Sequence, residues 1–215
     1  MSLSDDAPPG TDETLRILAT AAMDLAAQRG WRRVTLTAVA ERAGMPLGTL
    51  YRHARSRSDL LAAVARLADT AVLADGMPAG TGGGGADESP RDRLFDVMMR
   101  RFDALQPFRP GLAAVMRDLP WEPLTALAFA PALGRSMAWM LRAAGLDPDT
   151  RGGPLLVAGL GVVDARVMRV FAGDDTPDLS RTMAALDSEL RRAESTLDSC
   201  LGMAKRARVD PIAQP

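Results

Sequence analysis

Apolar side chains recur along this chain at intervals of three and four, the spacing that lines one face of an α-helix. Leu15, Leu18, Ala22, Leu25 and Ala26 form the first such stripe. Thr11 or Asp12 caps it, Asp12 and Glu13 suit the positive end of its dipole, and Gly30 stops it. A short second helix is expected from about residue 36 to 43 with Thr35 as its cap. Gly44 makes the turn, and a third helix follows from about residue 47 to 53. Ser56, Arg57, Ser58 and Asp59 have the form of a capping box. They open a fourth helix to about residue 74, with Leu60, Leu61, Val64, Leu67 and Ala71 as its inner stripe.

Residues 76–89 lose all periodicity and contain Gly80, Gly82, Gly83, Gly84 and Gly85, the composition of a flexible connection. No Gly-Lys-Ser/Thr follows and no strand precedes, so this is not a phosphate loop. Helical spacing then resumes with Leu94, Val97, Met98, Phe102 and Leu105. Pro107 and Pro110 break the chain before a short helix at about 112–119. Segments 120–129 and 131–145 read as two helical pieces divided by Pro131. Residues 154–172 are apolar nearly all round and should be central. A last long helix should begin at Pro177 or Asp178 and run to about Cys200. No strand and no internal repeat is expected.

Composition agrees: 47% of residues are hydrophobic and only 4% aromatic, favouring helices over sheet. One cysteine excludes an intrachain disulfide and fits a reducing cytoplasm. No secretory signal is expected, because Ser4, Asp5 and Asp6 follow the start. The apolar stretch 155–163 is too short to span a bilayer, so no membrane span is expected.

Charge changes the picture more. The net charge of −1 by itself argues against a nucleic-acid partner. From Arg29 to Arg57, however, seven arginines face a single acid, Glu41, so this segment carries +6 within a net-acidic chain. Such a local basic patch is the electrostatic footprint of a phosphate-binding surface.

The patch contains a helix-turn-helix layout at residues 36–53. Val39, Ala40 and Ala43 face inward, with small residues permitting two helices to cross closely, and Leu50 anchors the second helix on the first. That leaves Pro46, Leu47, Gly48, Thr49 and Arg52 outward, on the part of the motif that enters a major groove. Thr49 and Arg52 suit base edges, arginine being the best bidentate partner of guanine. Tyr51 and His53 suit phosphates, as do Thr35, Thr37 and, from the fourth helix, Arg57. The fold expected is therefore all-α. It comprises an N-terminal three-helix DNA-binding domain with a helix-turn-helix and a C-terminal helical ligand-binding and dimerisation domain, about nine helices in all. The expected divisions are an arm at 1–11, the DNA-binding domain at 12–57, a linking helix at 58–75, the glycine-rich loop at 76–89, the second domain at 90–200 and a tail at 201–215.

Residues 12–74 resemble the DNA-binding domain of the TetR family of one-component regulators. The carrying residues are Ala19, Ala22, Ala26, Gly30, Val34-Thr35, Val39-Ala40, Ala43-Gly44, the run from Gly48 to His53, then Ser56 and Asp59-Leu60-Leu61. Ala54 and Arg55 depart from the family's usual phenylalanine and proline, so the turn into the fourth helix should pack less apolar area. The stretches 91–96, 101–103 and 174–179 resemble, more loosely, the lipid-binding accessory family of coenzyme Q biosynthesis. That resemblance implies a helical pocket for lipid, isoprenoid or quinone. It also supplies an alternative reading, an accessory protein with a vestigial helix-turn-helix.

For a regulator, the expected effector pocket gathers Phe95, Met98, Met99, Phe102, Met116, Trp121, Met137, Met140 and Met168, since methionine adapts to irregular apolar ligands. The expected dimer surface uses Gly159, Gly161 and Ala165 for close helix contact, with Met183, Leu186 and Leu190 on the last helix. Expected partners are double-stranded operator DNA, an apolar small-molecule effector and a second copy of the chain. No cofactor and no enzymatic activity are expected, because a single histidine and a single cysteine cannot build a His/Cys zinc set.

Overall fold

The computed structural model describes residues 11–74 and 89–207, with side chains described as far as residue 195. Among these residues there are nine α-helices and no strand. They are α1 (Thr11–Arg29), α2 (Leu36–Arg42), α3 (Leu47–His53), α4 (Arg57–Ala74), α5 (Pro90–Leu105), α6 (Arg109–Asp118), α7 (Pro123–Ala143), α8 (Gly153–Phe171) and α9 (Ser180–Ala207). The expected arm at 1–11, except Thr11, most of the glycine-rich loop and the last residues of the tail lie outside the described residues.

The local signals act as written in the sequence. Thr35 Oγ1 accepts the Ala38 N–H at 3.2 Å, capping α2. At the start of α4 the capping box closes in both directions. The Asp59 N–H donates to Ser56 Oγ at 3.2 Å, and Asp59 Oδ2 accepts the Ser56 N–H at 3.0 Å. Ser89 caps α5 by accepting the Asp92 N–H, with Pro90 in the first turn. Gly44 adopts φ +64°, a left-handed turn that glycine makes without strain.

A single buried core runs through the molecule. Helix α4 packs on α1, α5 and α7, and α8 packs on α7 and α9. Helix α1 also lies against α6, at a closest approach marked by Gly111. A β-carbon there would stand 2.5 Å from the Met23 carbonyl oxygen, so only glycine permits this separation.

Three sequence expectations change. First, segments 120–129 and 131–145 form one helix, α7, that passes straight through Pro131. Pro131 is exposed, as is Leu127 one turn before it, so the carbonyl that proline leaves without a donor lies on the solvent side of the helix. Second, among the described residues the one helix that meets a membrane span's length and composition is α7, not the 155–163 stretch weighed in the sequence, and length and composition are all that it shares with a span. Third, α8 is not enclosed: Leu160, Val163, Val167, Met168 and Phe171 are buried, but Leu155, Ala158, Gly159 and Val162 face outward.

Candidate nucleic-acid interface

Helix α3 rests on one side chain. Leu50 is 1% exposed and sits in the core with Val39, Ala40 and Leu60, while α3 begins directly after Pro46. Because Leu50 faces in, Leu47 and Tyr51 must face out, and they are 52% and 60% exposed. A large apolar residue and a tyrosine held in solvent on a seven-residue helix do not serve the core. Pro46, Gly48 and Arg52 are also exposed, with Thr49 half-buried beside them.

The polar groups of this face are organised. Arg52 donates to Thr49 Oγ1 at 3.2 Å and to the Gly48 carbonyl at 3.4 Å, so its guanidinium lies along α3 rather than free in solvent. Arg55, which is not among the residues expected to contact DNA, stacks over the Tyr51 ring at 5.3 Å from its centroid. Thr37 is exposed at the start of α2, and His53 is half-buried at the end of α3. Thr35 is exposed, but its hydroxyl already caps α2. Ala54 is buried at 2%, so the residue that replaces the family's usual phenylalanine still belongs to the core.

Arg57 is the departure. The sequence placed it against a phosphate, whereas its guanidinium pairs with Glu122 at 2.8 Å and also reaches the Trp31 carbonyl at 3.3 Å. It lies over the buried Trp31 ring, whose Nε1 has no hydrogen-bond partner among the described residues. Arg57 therefore ties the start of α4 to the start of α7. A second tie lies close by in sequence, where the Arg32 N–H donates to Asp118 Oδ2 at 3.3 Å. Burial pushes the Asp118 carboxyl up, but that N–H together with Arg117 outweighs it and holds the group below its usual value. These two contacts join the helix-turn-helix unit to α6 and α7.

The residues expected to form an effector pocket divide by depth. Met98, Phe102, Met137, Met140 and Met168 are buried together, with the Phe102 and Phe171 rings 5.3 Å apart. Phe95, Met99 and Met116 are half-buried. Trp121 stands apart at 76% exposure, on the turn before α7, and contributes nothing to that interior. A polar network that sequence reasoning missed runs through the same interior. Arg101 Nη1 donates to Asp164 at 2.8 Å, its Nε approaches Asp69 at 3.4 Å, and Ser136 donates to Asp69 at 2.7 Å. Burial pushes the Asp164 carboxyl up, Arg101 pulls it down and Asp69 raises it again; the result is upward. Helical spacing carried a signal for this network, since Arg101 falls on the same face as Leu94, Val97, Met98 and Leu105.

The residues expected at a dimer surface also divide. Gly159, Gly161, Ala165 and Met183 are exposed or half-exposed. Leu186 and Leu190 are not available to a partner: they are 0% and 5% exposed and hold α9 onto its own chain. A groove of about 800 Å³ lies between α7 and α8, with Leu133, Gly134, Val157, Ala158, Gly161 and Val162 among its walls.

Comparison with known proteins is consistent with this geometry. Residues 18–64 match the family model described as "Bacterial regulatory proteins, tetR family". The fold is similar to that of a TetR transcriptional regulator from Nitrosomonas europaea ATCC 19718, at TM-score 0.60 and 20% identity over 85% of this chain and 98% of that one. It is similar also to a TetR transcriptional regulator from Rhodococcus sp. RHA1, at TM-score 0.54 and 24% identity over 83% and 95% of the two chains. A tetR-family regulator from Streptomyces coelicolor gives TM-score 0.52 and 20% identity over 94% and 91%. No curated protein sequence matches the chain. The all-helical fold, with its N-terminal helix-turn-helix and helical C-terminal domain, is thus that of solved TetR regulators.

Proposed function

We propose that this chain is a ligand-responsive transcriptional regulator of TetR type that binds operator DNA as a homodimer and is released by an apolar small molecule. The observation that carries the reading is the outward face of α3. Leu47 and Tyr51 are held in solvent by the burial of Leu50, with Arg52 laid along the same outward face, within a segment of net charge +6. In this role Arg52 and Thr49 read base edges, Leu47 and Pro46 touch thymine methyls, and Gly48 lets the backbone approach the duplex. Tyr51, His53, Thr35 and Thr37 hold phosphates. Arg57 acts at one remove, by fixing the start of α4 through Glu122.

Two half-sites a helical turn apart need two copies of the head. The α7–α8 groove, with Gly159, Gly161 and Ala165 beside it and Leu155 and Val162 exposed on α8, supports a second copy packed helix against helix. For the effector, the interior around Met98, Phe102, Met137, Met140 and Met168 offers side chains that repack easily. Lipid, isoprenoid or quinone suits those walls.

The accessory-protein reading is the alternative. Asp174, in the 174–179 stretch, is spent on structure: its carboxylate accepts from Thr176 and from the N–H and hydroxyl of Thr182 at the start of α9. Selection of bound sequences from a random DNA pool tests the choice. A recovered two-fold sequence, bound with salt-dependent affinity that Tyr51→Ala and Arg52→Ala each lower at least tenfold, is the expected result. Binding no better than to random DNA at physiological salt would remove the regulator reading.

A further inference from the structure

A cleft of about 570 Å³ opens where the N-terminal unit meets α6, lined by Arg29, Gly30, Arg32, Arg33, Arg117 and Asp118. Its volume is that of a small-molecule site, but its walls are the opposite of apolar. Four arginines and one aspartate line it, a local excess of three positive charges. Among the described residues, the side chains of Arg29, Arg32 and Arg33 make no ion pair, and Arg117 pairs only with its neighbour Asp118 at 3.2 Å. Asp118 is already partly committed, since it accepts the Arg32 N–H.

Like charges gathered in a concave site repel one another and attract an anion of matching valence. The guanidinium fork fits phosphate oxygens two at a time. We propose that this cleft binds a compact phosphate-rich small molecule of di- or triphosphate chemistry. The ligand bridges Arg29, Arg32 and Arg33 on the N-terminal side to Arg117 on α6, and so stiffens the joint between the two parts of the chain. Operator DNA is the other source of phosphate. The cleft, however, draws its lining from the end of α1, the turn after it and α6, and none from α2 or α3. Binding at the cleft does not depend on the regulator reading; only its consequence for DNA affinity does.

Calorimetric titration of the full chain with inorganic triphosphate, with no DNA present, tests the site. One equivalent per chain is expected. Arg33→Gln and Arg117→Gln should each weaken binding at least tenfold, while Arg151→Gln, an exposed arginine outside the cleft, leaves it unchanged. Both cleft arginines are exposed, so the variants should melt like the parent without ligand, and that melt is the folding control. The proposal is overturned by heats that do not saturate up to millimolar triphosphate. Equal weakening by all three variants also overturns it, as does a loss that follows Arg52→Gln instead, which would assign the anion to the reading face.

Discussion

Leu50 decides which way the reading helix faces, and it does so with one buried side chain. Truncation leaves a cavity under a helix of only seven residues. Leu50→Ala should cost about 2–5 kcal/mol, read from urea unfolding, and should weaken DNA binding further than stability alone requires. Asp174 makes a different kind of residue-scale prediction. Burial raises its carboxyl, but the hydrogen bonds from Thr176 and Thr182 prevail and hold it well below the usual carboxylate range. A depressed carboxylate stabilises the fold fully above its unfolded value of about 3.9, and the contribution is lost as pH falls below that. Asp174→Asn should therefore destabilise by about 1–3 kcal/mol at pH 7 and by less at pH 3, measured by paired thermal melts. The inward set of α3 was legible because a period of 3.6 leaves Leu50 alone facing α2. Asp174 shares its carboxylate between Thr176 in its own loop and Thr182, eight residues further on inside the next helix, and only the fold brings that second partner to it.

At the scale of elements, the buried network of Asp69, Arg101, Ser136 and Asp164 joins α4, α5, α7 and α8 in one set of contacts. Asp164→Ala removes the closest partner of an arginine that is 2% exposed, and the cost expected is about 3–5 kcal/mol in denaturant unfolding. Pro131 is the reverse case, because it sits inside α7 and removes a helix hydrogen bond. Pro131→Ala should raise the melting temperature, and an unchanged or lowered melt would mean that the carbonyl left without a donor costs α7 nothing. The two-piece reading of this region failed for a physical reason. Proline breaks a helix only where the lost donor cannot be replaced, and the sequence does not reveal that residues 127 and 131 face water.

For the molecule as a whole, α4 packs on α5 and α7, and the joint between the helix-turn-helix unit and the C-terminal helices further includes α1 on α6, Arg57 with Glu122, and Arg32 with Asp118. A double-mutant cycle on Arg57→Gln and Glu122→Gln should give a coupling above the ~1 kcal/mol of exposed pairs, because Glu122 is largely buried. Val162→Arg, on the outer face of α8, should turn a dimer into a monomer by light scattering with little change in secondary structure. The chain's own periodicity determined the helices of the N-terminal unit, the caps of α2 and α4, the turn at Gly44 and the outward residues of α3, since each depends on neighbours within a few positions. Tertiary structure alone decided that Arg57 pairs with Glu122, that Leu186 and Leu190 belong to the chain's own core, and that Arg101 meets Asp164. Those partners lie tens of residues apart in sequence, so a charge or a leucine at one position carries no local mark of what will come to rest against it.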